Sequence, residues 1–105
     1  MIAVLDMGYT LLEDCGFTRA EAVRATGQLV MRNIENVLEA GCDGALTGPI
    51  ERNDIETVKK HIACMQNDDS DDVSLYKMLG TKLANIAEKK NPDKDYTQMM
   101  ELLRG

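Results

Sequence analysis

One short segment of the chain combines residue types that can bind an anion. Thr47, Gly48 and Pro49 follow one another, and Arg52 and Asp54 come just after them. Glycine allows a close approach of another backbone, proline fixes its own φ, and threonine adds a hydroxyl. Main-chain amides and one guanidinium can together hold a carboxylate or a phosphate. The simpler interpretation of the same residues is a tight corner between two helices.

Other chemical signatures are absent from the sequence. It contains no G-x-G-x-x-G or Walker-type glycine loop. Cys15, Cys42 and Cys64 are too widely spaced to indicate a zinc site. The single histidine, His61, follows two lysines, and we expect it to be solvated or packed between helices. The acidic run 68–72 lacks the Gly and Glu of an EF-hand, so we expect a helix-capping linker. We therefore predict no catalytic, cofactor-binding or metal-binding residue in this chain.

Size and charge narrow the class of protein. The chain has 105 residues, a formal net charge of −6 and a hydrophobic fraction of 44%, as expected of one globular domain. The acidic balance disfavours nucleic acid and anionic membranes as partners, because both attract clustered Lys and Arg. No apolar stretch is long enough to span a membrane, and no secretory signal precedes Asp6. An odd number of cysteines indicates reduced thiols, so we expect a cytoplasmic protein.

Hydrophobic periodicity and capping residues predict five helices and no strand. The helices cover residues 2–14, residues 19–40, a stretch capped by residues 53–56, residues 73–90, and a stretch capped by residues 95–98. Gly16 and Gly41 end the first two helices, and Pro92 ends the fourth. The glycine-rich segment 41–50 is expected to be the longest loop, and residues 66–72 a polar break. We predict an all-α fold: one domain over residues 1–105, a bundle of about five helices.

Three details of these helices concern their starts and their apolar faces. Thr18 and Glu21 have the spacing of a capping box at the start of the second helix. The first helix starts at Met1 without a capping side chain, which favours a helix cut from a longer chain over a frayed natural N-terminus. The fourth helix has an apolar stripe of Val73, Tyr76, Leu79, Leu83, Ile86 and Ala87.

The long second helix is apolar on more than one side. One seam recurs at three- and four-residue steps and consists of Val23, Gly27, Val30, Ile34 and Val37. Leu29, Met31 and Leu38 point elsewhere, as in a helix that is both buried and shared between subunits. We therefore predict a homodimer built on this helix, and the alternative is a monomer with the helix at its centre.

The segment that contains the anion-binding candidates also resembles a known family motif. Its pattern is LTGPI-x-R-x-D-x-x-T-V-x-x-H-[IL], matched here by residues 46–50, Arg52, Asp54, Thr57, Val58, His61 and Ile62. A later LY-x-x-LG pattern is matched by Leu75, Tyr76, Leu79 and Gly80. The chain resembles, over nearly its whole length, the C-terminal helical domain (domain of unknown function 2520) of Rossmann-like NAD(P)-dependent oxidoreductases.

The resemblance implies a helical fold similar to the C-terminal domain of 6-phosphogluconate dehydrogenase. Such domains dimerise and close over the substrate side of a Rossmann cleft. NAD or NADP is then expected in the full-length protein, bound by the Rossmann-like domain of the parent chain, and this chain alone is expected to be inactive. Thr47, Gly48, Pro49 and Arg52 are expected to face the cleft and to bind the substrate or the far end of the cofactor.

Two other interpretations stay open at this point. In the first, the chain is a stand-alone helical protein-interaction module with no redox role. In the second, residues 46–50 are only a structural corner, and any binding surface lies on other helices. An in-frame G-x-G-x-x-G unit upstream of Met1 would favour the oxidoreductase over the interaction module.

Overall fold

The computed structural model describes residues 1–65 and 71–105, and these two ranges contain five α-helices. They are α1 (Ile2–Asp14), α2 (Arg19–Ala45), α3 (Ile55–Met65), α4 (Asp72–Lys90) and α5 (Thr97–Arg104). No strand occurs in either range, so the predicted all-α class and the five helices are confirmed. The polar break expected at residues 66–72 and the acidic run at 68–72 lie mostly outside the described residues.

Local signals place the first helix boundaries correctly. Gly16 has φ 104° and its amide donates to the carbonyl of Glu13 at 2.9 Å, which ends α1 in the way glycine commonly ends helices. The capping box then starts α2: the Glu21 amide donates to the Thr18 hydroxyl at 3.1 Å, and the Thr18 amide donates to the Glu21 carboxylate at 3.0 Å. These hydrogen bonds lower the pKa of Glu21 below its ordinary value.

One predicted helix end is wrong by a few residues, and one predicted cap is shifted by a single residue. Gly41 interrupts α2 with φ 77° and ψ 175°, but a further helical turn follows it as far as Ala45. The glycine-rich loop is therefore shorter at its start than expected, because only Gly41 leaves the helical conformation. The N-cap of α3 is Asp54 rather than Asn53, because the Asp54 carboxylate accepts a hydrogen bond from the Thr57 amide. Asn53 has φ 60° and so lacks the extended backbone conformation of an N-cap residue.

The chain divides into two compact units, which we call the N-terminal unit (residues 1–39) and the C-terminal unit (residues 40–105). The C-terminal unit has a hydrophobic core drawn from the segment before α3 and from α3, α4 and α5. The core side chains are Ile50, Val58, Ile62, Ala84, Ala87, Tyr96, Met99 and Leu103. These contacts fix the segment around residue 50 against the last two helices.

The face of α4 that packs into this core differs from the predicted stripe. Leu83 is 37% exposed, whereas Gly80 and Ala84 are buried. A Cβ at Gly80 would lie 2.8 Å from Leu103 Cδ2 and 3.2 Å from Ile50 Cδ1, so α5 approaches α4 where a side chain is missing. The prediction holds in part: Ala87 lies in the core and Val73 and Tyr76 pack against it, but the closest contact runs through small residues that the predicted stripe left out.

The N-terminal unit has almost no core. All of residues 1–39 are described, and among them only Ala22 is buried. Polar contacts join the start of α2 to α1: Arg19 lies 3.1 Å from Asp6 and 3.0 Å from Glu13, and its guanidinium lies 5.5 Å from the centre of the Tyr9 ring. Ion pairs this exposed contribute little to stability.

Candidate functional site

The segment between α2 and α3, residues 46–54, forms a series of turns that we call the corner. Gly48 has φ 107°, a conformation that L side chains rarely adopt. The amide of Arg52 donates to the carbonyl of Gly48 at 3.0 Å, and the amide of Asp54 donates to the carbonyl of Pro49 at 2.8 Å. Because these two amides are used inside the corner, an anion would depend on the Arg52 guanidinium and the exposed Thr47 hydroxyl.

Arg52 presents its charge to solvent. Its side chain is 59% exposed, and the Asp54 carboxylate lies at 4.0 Å. Asp54 is already engaged as the cap of α3: its oxygens accept the Thr57 hydroxyl at 2.7 Å and the Thr57 amide at 3.2 Å. These two bonds, with a smaller contribution from Arg52, hold the pKa of Asp54 below its ordinary value. The guanidinium is left only weakly paired.

Glu51, the neighbour of Arg52, is turned the other way. Its side chain is only 16% exposed and accepts a hydrogen bond from Asn91 Nδ2 at 3.2 Å. Lys90 Nζ lies 4.0 Å from the same carboxylate and donates to the carbonyl of Leu46 at 2.8 Å. The hydroxyl of Tyr96 donates to the Glu51 carbonyl. Lys90, Asn91 and Tyr96 therefore hold the middle of the corner, although they lie 39 to 45 positions after Glu51 in the chain.

The end of the corner is held in the same way. Asn53 Nδ2 donates to the carbonyl of Asp95 at 2.8 Å, while Asn53 Oδ1 is buried without a hydrogen-bond partner among the described residues. Asparagine is one of the few residues that tolerate a positive φ. Sequence reasoning missed Lys90, Asn91 and Tyr96 entirely. The sequence did contain one signal, because Tyr96 is an aromatic residue inside the polar segment 91–97. A large ring in such a segment favours burial with its hydroxyl on a partner.

His61 and Tyr76, which both belong to the quoted motifs, meet between α3 and α4. Their Nδ1 and hydroxyl oxygen are 3.0 Å apart, and the rings meet edge to face at 5.9 Å. Burial raises the pKa of the Tyr76 hydroxyl above its ordinary value. His61 itself is exposed, and its ring links two helices, in line with the expectation that it packs between them.

Other site types find no support in the part of the chain that is described. No three His, Cys, Asp or Glu side chains of residues 1–65 and 71–105 are grouped so that they can hold a metal ion. The three cysteine thiols are free and exposed. None of the five helices in these ranges has the length and apolar character needed to cross a membrane.

The N-terminal unit carries most of the exposed apolar surface. Eight of the ten large apolar side chains that are exposed in the described ranges belong to it: Met1, Ile2, Val4, Phe17, Val23, Leu29, Met31 and Leu38. An apolar groove of about 500 Å³ runs between α1 and α2, with Val4 and Leu5 on one side and Leu29, Val30 and Ile34 on the other. Isolated exposed apolar residues are normal, but a concentration of them marks an interaction surface.

The predicted seam of α2 is partly covered by this arrangement. Val30 lines the groove beside α1. A second row at four-, three- and four-residue steps comprises Gly27, Met31, Ile34 and Leu38, and we call it the α2 seam. Met31 is 58% exposed, Leu38 is 81% exposed, and nothing lies within 4 Å of the position that a Cβ on Gly27 would occupy. The row has the spacing of a helix-pairing surface.

Comparisons with known proteins give one family. A family model described as "Domain of unknown function (DUF2520)" matches residues 1–83. No curated protein and no solved structure matches the chain. The matched range includes the corner and the α2 seam, whereas Lys90, Asn91 and Tyr96 lie beyond it.

Proposed function

Because this chain belongs to the DUF2520 family, we propose that it is the helical substrate-side and dimerisation domain of an NAD(P)-dependent oxidoreductase. NAD or NADP binds to the Rossmann-like domain of the parent chain in this proposal, and the helical chain alone is inactive and cytoplasmic. Support comes from the motif residues quoted above. The single observation that carries the dimerisation role is the α2 seam, in which Met31 and Leu38 are exposed.

The α2 seam is self-complementary when a second copy crosses it in the antiparallel direction. A two-fold axis between Met31 and Ile34 places Met31 of one copy opposite Ile34 of the other. The same axis places Leu38 opposite Gly27, a large side chain opposite a residue without one. A two-fold interface requires this reciprocity: when residue i of one copy contacts residue j of the other, residue j of the first copy contacts residue i of the second.

The energy that the α2 seam offers is of the same size as the cost of association. Burial of one Leu, Ile or Met side chain is worth about 1.5–3 kcal/mol. A symmetric seam buries each such side chain twice, once in each copy. Met31 and Leu38, the two exposed side chains of the row, therefore contribute roughly 6–12 kcal/mol over both copies, against roughly 4–15 kcal/mol for the lost freedom of two molecules. The exposed apolar residues of α1 enlarge the available area.

Sedimentation of a matched pair of variants tests the dimer. Leu38→Glu places a charge within the seam, so we expect the dimer to dissociate into the 11.6 kDa monomer at high micromolar concentration. Met78→Glu is the control, because Met78 is 67% exposed on α4, outside the N-terminal unit. A wild-type protein that sediments as a monomer at this concentration contradicts the dimerisation role.

The same exposed surface also favours the alternative, a stand-alone helical interaction module with no redox role. In that case the wild type is a monomer and the α2 seam binds a different protein. A chain that stays monomeric, and a genomic context without an in-frame Rossmann-like unit, would favour this alternative over the oxidoreductase.

The substrate-side role rests on the corner. We propose that Thr47, Gly48, Pro49 and Arg52 face the interdomain cleft and hold an anionic group, with Arg52 as the charged residue. In the chain that carries the Rossmann-like domain, Arg52→Ala and Thr47→Val are expected to weaken ligand binding without changing the melting temperature. A lower melting temperature with unchanged affinity would show that the corner has only a structural role.

A further inference from the structure

We infer that Asn91 and Tyr96 are positioning residues: they hold Glu51 away from Arg52, and this leaves the Arg52 guanidinium available to an anionic ligand. The ligand part of the inference rests on the proposed function of the corner. The positioning part rests only on hydrogen bonds within the C-terminal unit and can be tested without any ligand.

Three carboxylates near Arg52 in the sequence compete for its charge, and each has a partner other than Arg52. Asp54 accepts two hydrogen bonds from Thr57, and Glu56 lies 3.8 Å from Lys59. Glu51, the immediate neighbour, would be the strongest competitor if its side chain were free to turn outward. It is the one carboxylate of the three that is held by side chains distant in the sequence.

The contacts around Glu51 form a closed ring. Both hydrogens of Asn91 Nδ2 are used, one by Glu51 Oε1 at 3.2 Å and one by the Tyr96 hydroxyl oxygen at 3.0 Å. The Tyr96 hydroxyl in turn donates to the Glu51 carbonyl. Tyr96 is only 2% exposed, so this network lies partly out of water, where hydrogen bonds are stronger. Side chain and backbone of Glu51 are thus fixed together.

The result is that the two neighbouring charges of the corner have different surroundings. Glu51 pairs with Lys90 on the inner side of the corner, and Arg52 faces solvent on the outer side. An arginine in this position matches the planar, two-oxygen geometry of a carboxylate or a phosphate. The inferred ligand class is therefore a carboxylate- or phosphate-bearing molecule.

The first experiment uses no ligand and follows the Arg52 side-chain Nε–H signal by nuclear magnetic resonance in the whole chain. Asn91→Ala removes the hydrogen bond to the Glu51 carboxylate, which then keeps only the 4.0 Å contact with Lys90. We therefore expect the Arg52 signal to shift and its exchange with water to slow about two- to fivefold, the range for one exposed ion pair. The double variant Asn91→Ala with Glu51→Gln is expected to restore the wild-type signal. A merely structural role of Asn91 would not be reversed by removing the charge of Glu51.

Matched controls separate this effect from general loosening. Asn85→Ala removes an exposed asparagine from α4, the helix that Asn91 follows, and is expected to leave Arg52 unchanged. Tyr96→Phe keeps the buried ring but removes the hydroxyl, and it is expected to act like Asn91→Ala. Tyr76→Phe removes the hydroxyl that contacts His61 instead and is expected to have no effect on Arg52. An Arg52 signal that is identical in wild type, Asn91→Ala and Tyr96→Phe overturns the inference.

The second experiment titrates inorganic phosphate against the same signals. We expect the wild type to bind phosphate about two- to fivefold more tightly than Asn91→Ala, and the Glu51→Gln double variant to recover the wild-type affinity. If phosphate shifts no Arg52 signal in the wild type, the proposed anion-binding function of the corner is contradicted. The first experiment, which uses no ligand, still tests the positioning role of Asn91 and Tyr96. Equal phosphate affinity in wild type and Asn91→Ala contradicts the inference.

Discussion

Asp54 shows how one side chain shapes both a helix and the charge beside it. Its carboxylate caps α3 by accepting hydrogen bonds from the Thr57 amide and hydroxyl, and it lies 4.0 Å from the Arg52 guanidinium. A carboxylate whose pKa is lower in the folded chain than in the unfolded chain stabilises the fold above the unfolded pKa. That contribution is lost as the pH falls through the folded pKa.

We therefore expect Asp54→Ala to lower the melting temperature by several degrees at pH 7. The cause is the loss of the cap hydrogen bonds to the Thr57 hydroxyl and amide, which also lower the pKa of Asp54. The difference between wild type and variant is expected to narrow as the pH falls below about 4, the ordinary range of aspartate, because the unfolded wild-type chain then takes up a proton that folded Asp54 takes up only at lower pH.

Thermal melts between pH 3 and pH 7 check this expectation, with Asp93→Ala as the control. Asp93 is exposed in the turn after α4, and its removal is expected to have little effect at any of these pH values. A difference between wild type and Asp54→Ala that stays constant over the whole range would show that the carboxylate charge is irrelevant to the cap.

At the scale of elements, two glycines inside helices have opposite surroundings. Gly80 in α4 lies where Leu103 and Ile50 approach to within 2.8 and 3.2 Å of the position that a Cβ would occupy, whereas Gly27 in α2 has open space around it. The intrinsic helix preference favours alanine over glycine by about 1 kcal/mol at both positions. The sign of the net effect therefore depends on what each helix face meets.

We expect Gly80→Ala to destabilise the chain by about 1–3 kcal/mol, because the added methyl overpacks the core between α4 and α5. Gly27→Ala is expected to stabilise the isolated monomer by about 1 kcal/mol. In the proposed dimer Gly27→Ala is expected to weaken association, because Leu38 of the second copy occupies that space. Chemical denaturation checks the first two effects, and sedimentation checks the third. A stabilising Gly80→Ala would show that Leu103 moves aside at little cost.

At the scale of the whole molecule, the two units differ in how their helices are stabilised. The C-terminal unit has a core of eight buried side chains and a set of hydrogen bonds that joins the corner to residues 90–96. The N-terminal unit has one buried residue and exposes apolar side chains on both of its helices. Helices with so little burial of their own gain stability when another surface covers them.

We expect this chain alone to bind neither NADH nor NADPH. The sequence has no phosphate-binding glycine loop, and the described ranges contain no parallel strand from which such a loop could start. Fluorescence titration checks the expectation, with a Rossmann-fold dehydrogenase as the positive control for the assay. Micromolar binding of either cofactor by the 105-residue chain would contradict it.

The sequence by itself determined the features that depend on neighbouring residues. The end of α1 at Gly16, the capping box of Thr18 and Glu21, and the end of α4 before Pro92 follow from interactions within a few residues. The family followed from a motif that is contiguous along the chain. Each of these signals is local, so the order of the residues is enough to predict it.

Only the tertiary structure decided which faces of the helices meet and what holds the corner. Periodicity detected Ala87 on the contact face of α4 but missed Gly80 and Ala84, because close approach selects small residues over the large apolar side chains that define a stripe. The bonds of Asn91 and Tyr96 to Glu51 join residues 40 and 45 positions apart. No spacing rule predicts such contacts, since they depend on how the core around Tyr96 brings distant segments together.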